Sequence, residues 1–272
     1  MAGTLILCAG PIGNLSDAPP RLGEALAAAS LVYAEDTRRA RTLLQHLGVD
    51  RPLRSYFVGN EEERAAELAE RLAAGETVAL VTDAGSPGVA DPGVSAVRAA
   101  LGVGATVTGV PGPSAVTLAV GLSGFSGDRF VFEGFLPRRG RSRGDRIAAM
   151  ATERRTTVLF CAPGRLAGDL SDLAAGLPDR ACVVCREMTK LHEEVWRGTV
   201  AGAADHWSGR TVKGEVTVVI DGGGEVVPDL EAAIVEARTA IKGGENPSAA
   251  VRRVAAATGV SRRELYEAVI GR

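Results

Sequence analysis

Val81-Thr82-Asp83-Ala84-Gly85-Ser86-Pro87-Gly88-Val89-Ala90-Asp91-Pro92-Gly93 reads as a ligand-shaping loop held between a strand and a helix. The run Val78 to Val81 before it is apolar and β-branched, which predicts a buried strand. Val94 to Leu101 after it has helical spacing, with Asp91 expected as cap and Pro92 in the first helical position. The eleven residues from Asp83 to Gly93 hold three glycines, two prolines and two aspartates. Glycine lets backbone approach a ligand and proline removes freedom. A plain strand-to-helix connection needs only a few residues, so this length favours a binding role over a tight connection alone. Open α/β folds bind small molecules at such strand ends.

Two further loops of the same kind flank it. Thr4 to Cys8 reads as a strand opening onto Ala9-Gly10-Pro11-Ile12-Gly13-Asn14-Leu15, and Ala105 to Val110 runs into Pro111-Gly112-Pro113-Ser114-Ala115. The first has neither the G-x-G-x-x-G of dinucleotide folds nor the GK[ST] ending of a P-loop. Parallel strands present such loops at one edge, where they can converge on one ligand. Leu31 to Ala34 is a short strand ending in Glu35-Asp36-Thr37-Arg38, which reads as part of a site or as a solvated helix start. Helices are expected after Pro20, from Arg38 to Gly48, and from Asn60, where Glu63 suggests a capping box, to Gly75.

Leu122 to Asp128 looks like a linker, after which strands are expected at 130–133, 157–161, 181–185 and 216–220, with helices at 144–154 and 165–175. This predicts an α/β chain of two α/β domains, 1–124 and 129–226, followed by a small all-helical extension, 228–272. In the extension, Asn246-Pro247-Ser248 opens a helix and Thr258-Gly259-Val260-Ser261 turns into another, resembling a helix-turn-helix with Arg252, Arg253, Arg262 and Arg263 outward. A plain helical packing hairpin is the other reading of it. Residues 136–155 carry seven arginines against Asp145 and Glu153, a net charge of +5. This basic, glycine-broken segment reads as a mobile loop for phosphates or as a solvated face.

The 272 residues carry a net charge of −2, so no global electrostatic case for nucleic acid exists. No apolar run reaches the ~20 residues of a membrane span and Met-Ala-Gly-Thr is no signal-peptide start, so the cytoplasm is expected. Cys182 and Cys185 have CxxC spacing, but side chains three apart on a strand point to opposite faces. With His46, His192 and His206 scattered, buried small side chains are expected and no metal.

Seven motifs share one order: Pro11-Ile12-Gly13-Asn14-Leu15, Glu35-Asp36-Thr37-Arg38, Asp83 to Pro87 with Asp91-Pro92-Gly93, Pro111 to Ala115, Glu133-Gly134-Phe135-Leu136-Pro137, Arg186-Glu187-Met188-Thr189-Lys190, and Lys213-Gly214-Glu215. Together they resemble the bacterial 16S ribosomal RNA 2′-O-ribose methyltransferases that modify a decoding-centre cytidine, within the tetrapyrrole-methylase-like superfamily. The resemblance spans nearly the whole chain. It implies S-adenosylmethionine (SAM) in a cleft between two α/β domains, usually in a homodimer, and 16S rRNA of the small ribosomal subunit as partner. It implies cofactor contacts at Pro11, Gly13, Asp83, Ala84, Gly85, Pro87, Pro111, Ser114, Ala115, Phe160, Ala162 and Gly214. Glu35, Asp36 and Lys190 are the candidates for taking the ribose proton. Arg38, Arg138, Arg139, Arg141 and Arg143 are the candidates for RNA phosphates. The chain departs from the family pattern at Gly10, at Val58 to Glu61, and at Cys161 to Leu166, which is one residue shorter and lacks a glutamate. Two alternatives stay open: C-methylation of a tetrapyrrole precursor, and a ribosome-binding homologue without catalysis.

Overall fold

Five short strands, the central ones buried along most of their length, organise the first sheet. A computed structural model of the chain describes residues 2–223 and 230–271. The strands are β1 (Thr4–Cys8), β2 (Leu31–Ala34), β3 (Leu53–Ser55), β4 (Thr77–Val81) and β5 (Thr106–Val110). All pairings are parallel, in the order β3-β2-β4-β1-β5. Successive residues of the central strands feed opposite cores, as a sheet covered on both faces requires. Ile6 and Cys8 pack with α1 (Pro20–Ala28) and α2 (Thr37–His46). Leu5, Tyr33 and Leu80 pack with α3 (Glu61–Ala73) and α4 (Val94–Gly102). Because the strands run one way, the loops after β1, β2, β4 and β5 leave from the same edge.

α5 (Ala115–Ser123) follows β5 in the chain but buries Val116, Ala119 and Val120 against the second sheet, beside Val158, Val183 and Val219. That sheet contains β6 (Phe130–Phe135), β7 (Thr156–Cys161), β8 (Ala181–Arg186), β9 (Glu194–Thr199) and β10 (Val216–Ile220). Its order is β6-β7-β10-β8-β9, with β6 and β7 parallel and the other pairs antiparallel. The opposite face carries α6 (Arg141–Thr152), α7 (Leu166–Gly176) and α8 (Val200–Trp207). Contacts between residues group Met1–Gly222, with both sheets, as one compact unit and Gly223–Arg272 as another.

In the smaller unit, α9 (Leu230–Lys242), α10 (Pro247–Thr258) and α11 (Arg262–Val269) enclose Ala237, Val251, Val254 and Leu265. Asn246 caps α10 through Ser248 N at 3.0 Å, and Gly259 at φ +69° ends it. Arg253 pairs with Glu236 and Glu245, and Arg263 with Glu267, which leaves Arg252 and Arg262 without an ion pair among the described residues. The residues around the expected boundary at 226–228 lie outside the described ones.

Several expectations are corrected. α4 starts at Val94, with Gly93 as cap residue, because Glu61 of α3 accepts from Gly93 N at 3.2 Å and from Ser95 Oγ. The carboxylate that serves this helix start thus comes from another helix, and Asp91 is released from that role. Asn60 makes no capping bond; its side chain closes the preceding turn onto Phe57 N and Ser55 O. The basic segment is helical from Arg141, and Arg143 is buried in a double ion pair, to Asp169 at 2.9 Å and Asp172 at 2.7 Å. β3, β9 and α8 are additions to the elements expected from the sequence. Cys182 and Cys185 do face opposite cores, and burial pushes the Cys182 thiol up to about 12. No cluster of metal-ligating side chains is found among the described residues, nor any helix long and apolar enough to cross a membrane.

Candidate active site

A cavity of about 350 Å³ opens between loops of the two sheets. The first sheet contributes Ile12 from the loop after β1, and Ala84 to Ser86 and Val89 to Asp91 from the loop after β4, and the start of α5 adds Ser114 to Val116. The second sheet contributes Phe135, Phe160 to Pro163 at the end of β7, and Gly214 to Thr217 at the start of β10. The antiparallel register pairs Cys161 with Val216, which brings the end of β7 beside the start of β10. The lining is mainly apolar, with the rings of Phe135 and Phe160 5.6 Å apart. Size and lining suit a small-molecule site, for which ~300–1,000 Å³ is usual.

Seven of the twelve residues assigned to cofactor contact line this cavity: Ala84, Gly85, Ser114, Ala115, Phe160, Ala162 and Gly214. Pro11, Gly13 and Asp83 line a neighbouring cavity of about 260 Å³, together with Glu35, Asp36 and Arg39. A backbone bridge, Gly10 N to Gly85 O at 2.8 Å, ties the first loop to the organising loop. Pro87 and Pro111 lie apart from both cavities, in a pocket against β1 and β5. Sequence reasoning missed Ile12, Phe135, Thr217 and, above all, Asp91 as lining residues. Asp91 stood within the quoted loop, where an Asp-Pro pair before a helix reads as a cap.

The three candidate proton acceptors differ sharply. Asp36 caps α2 through Arg38 N at 2.8 Å and grips the Arg38 guanidinium through both carboxylate oxygens. Those bonds hold its carboxyl well below the usual carboxylate range, a poor base. Glu35 accepts from Asp83 N, and burial, helped by the Asp83 charge, raises its pKa. Lys190 lies 2.8 Å from Glu187 and 3.0 Å from Glu215. Burial alone would lower its pKa, but the two carboxylates outweigh that and hold it as an ammonium. Asp91 is pushed up to about 7, first by burial, then by the charges of Glu35, Asp83 and Glu215.

Glycines on both sheets make room for the Lys190 pair. A side-chain carbon on Gly13, at φ +137°, would collide with Lys190 Cε. One on Gly214, at φ +87°, would collide with the Glu187 carboxylate. Glu187 and Thr189 themselves hold positive φ, +52° and +67°, and such strain collects at functional sites.

Among the arginine candidates, Arg38 is 89% exposed although paired with Asp36. Arg138 and Arg139 are exposed on the bend before α6, and Arg141 reaches Asp145 at 3.6 Å. Arg143 is the exception: 11% exposed, it also donates to Pro137 O and fastens this segment to α7.

Two nested classes emerge from comparison with known proteins. The model of the tetrapyrrole (corrin/porphyrin) methylases matches residues 4–204. In the structure of a uroporphyrin-III C-methyltransferase from Thermus thermophilus complexed with S-adenosylhomocysteine, the fold recurs with a TM-score of 0.58 at 20% identity, over 83% of this chain and 98% of that one. A Mycobacterium bovis protein named ribosomal RNA small subunit methyltransferase I is 43% identical over 273 residues, 99% of this chain and 95% of its own length. A Thermotoga maritima protein of the same name is 43% identical over 220 residues, 81% of this chain and 99% of its own. The chain belongs to the ribosomal RNA small subunit methyltransferase I family within the tetrapyrrole methylases.

Proposed function

We propose that this protein transfers a methyl group from SAM to the ribose 2′-hydroxyl of a cytidine in the decoding centre of 16S rRNA, acting in the cytoplasm as a homodimer on the small ribosomal subunit. The observation that carries the reading is the apolar cavity between the sheets, lined by seven of the expected contact residues, in a chain whose relatives are named ribosomal RNA small subunit methyltransferase I. The Thermotoga maritima match is about as long as the Met1–Gly222 unit, which contains the whole cavity.

SAM is the cofactor of the family, and the residues present fit it. A sulfonium nucleoside carries no phosphate, so the missing phosphate-binding glycine pattern is no obstacle. Phe160 and Phe135 offer rings to a purine, and the backbone at Ala84, Gly85, Ser114 and Ala162 offers polar edges. The cofactor supplies a methyl group already activated by positive charge. The protein's task is then alignment and exclusion of water, for which a mainly apolar, half-closed cavity is suited. Arg38, Arg138, Arg139 and Arg141 would hold backbone phosphates and position the ribose without reading sequence. Arg143 is omitted because its charge is engaged internally.

The test is transfer of labelled methyl from SAM to three acceptors compared together: small subunits lacking the modification, naked 16S RNA, and a tetrapyrrole precursor. One ribose-methylation stop in the decoding region, on subunits, is expected. Label in the tetrapyrrole would place the protein in the porphyrinoid branch, and cofactor binding without transfer would favour the non-catalytic reading.

A further inference from the structure

A basic pocket of about 320 Å³ opens at the same end of the second sheet as the cavity. It lies between the end of β8, the start of β9 and the loop from α8 into β10. The register makes the two neighbours: Val216 pairs with Cys161 at the cavity and with Arg186 at the pocket. Gly214 lines the cavity and Lys213 the pocket, and consecutive α-carbons are about 3.8 Å apart. Arg186, Arg210 and Lys213 meet there from separate elements, against the single carboxylate of Glu194. Arg186 bonds to Glu194 through Nε at 2.9 Å and to Lys213 O through Nη1, and its Nη2 has no partner among the described residues. Arg210 and Lys213 are exposed and have no ion pair among the described residues. Arg210 sits 6.0 Å from the centre of the Trp207 ring. The nearby acids are already engaged, Glu194 by Arg186, and Glu187 and Glu215 by Lys190. The pocket wall also holds Trp207, 3% exposed, whose indole N–H is a buried donor without an acceptor. Buried donors are nearly always satisfied, and an oxyanion in the pocket would satisfy this one.

We propose that Arg186, Arg210 and Lys213 form a phosphate site for the substrate RNA, gripping the backbone beside the nucleotide whose ribose enters the cavity. This rests on the rRNA methyltransferase reading above. A mainly apolar cavity cannot take a charged backbone, so the RNA has to be held outside it. A phosphodiester suits this pocket: its oxygens accept from a guanidinium fork and from an ammonium. The exposure of Arg210 and Lys213 suits a chain passing through rather than a small anion enclosed. Backbone contacts fix register without reading sequence. One made next to Gly214 decides which ribose along the strand reaches the methyl group. Arg38 stands on the first sheet's side and this pocket on the second's, so a strand bound to both crosses the mouth of the cavity. The sequence hides the site because residues 186, 210 and 213 belong to no single run of charge.

The experiment compares binding and methylation of small ribosomal subunits by the full chain, by a double variant carrying Arg210→Gln and Lys213→Gln, and by Arg154→Gln. Arg154 is exposed just before β7, at the opposite end of the second sheet, and controls for loss of charge alone. The double variant should bind subunits about tenfold more weakly at low salt. Its KM should rise to match, while kcat at saturating subunits stays within about twofold. Its plot of log affinity against log salt should be shallower by about one, the share of one phosphate contact. Calorimetric affinity for S-adenosylhomocysteine should stay within about twofold, and Lys213→Arg should keep the wild-type slope. Inorganic phosphate alone should bind the wild type no tighter than about 1 mM. An unchanged salt slope in the double variant would overturn the proposal. So would an equal change in Arg154→Gln, which would mark a general field of charge. Lost affinity for S-adenosylhomocysteine would instead make the pocket part of the cofactor site, and tight phosphate binding that the double variant loses would make it a free-anion site. Either result overturns the assignment to RNA. If the wild type neither binds nor labels subunits, the functional reading has failed and this proposal with it, whereas weakening confined to the double variant speaks to the pocket.

Discussion

The two sheets build one cavity by different means. The first sheet is wholly parallel, so every strand delivers its following loop to the same edge, and the loops after β1 and β4 reach the cavity from there. The second sheet is mixed, so its share comes from the end of one strand and the start of its antiparallel neighbour. Side-chain ion pairs secure that second edge: Lys190 with Glu187 and Glu215, and Arg143 and Arg165 with Asp169. A glycine loop signals its role within a few residues, whereas an ion pair joins residues far apart in sequence. The two halves should therefore fail differently.

The largest effect is expected on the second sheet's side. Asp169 is nearly fully buried between Arg143 and Arg165, so Asp169→Ala leaves the mostly buried Arg143 and the partly exposed Arg165 without their shared partner. A loss of about 3–5 kcal/mol is expected, read as a lower denaturant midpoint; a midpoint equal to wild type would mean this network secures nothing. On the first sheet's side, Gly13→Ala meets both an unfavourable φ and the Lys190 stem. It should cost about 1–3 kcal/mol in the same unfolding measurement and lower cofactor affinity by displacing Lys190. Gly214→Ala, acting from the other sheet on Glu187, should match it within about a factor of two; unequal losses would show that the pair leans on one sheet only. The smallest effect belongs to Lys190→Arg. A lysine held as a cation by two carboxylates is replaced by another cation, so the methylation rate should fall less than about tenfold, with its pH dependence kept. A larger loss would make the lysine amine itself part of the transfer.

Legibility followed the same division. β1, β4 and β5, the three glycine–proline loops and their shared edge were readable because periodicity and turn chemistry are local signals. The opposite burial of Cys182 and Cys185 followed from strand alternation alone. What escaped depends on partners distant in sequence. Asp91 was misread because Glu61, thirty residues earlier in the chain, serves the start of α4. Arg143 counted toward a phosphate-binding cluster because Asp169 and Asp172 lie on a later helix. β9, Glu-Val-Trp-Arg-Gly-Thr, is an edge strand with no buried residue, so it carries no strong apolar pattern. The motif resemblance supplied chemistry that periodicity could not, and the geometry then showed that Asp36 is engaged by Arg38 and Lys190 by Glu187 and Glu215.

The most direct test of the shared cavity is calorimetric titration of S-adenosylhomocysteine into wild type, Ala84→Trp and Ala162→Trp. These substitutions fill the cavity from the first and the second sheet respectively. The account predicts one site per chain in the wild type and no measurable binding in either variant, with far-UV spectra unchanged. Binding in both variants as tight as in the wild type would contradict it, because the cofactor would then lie elsewhere.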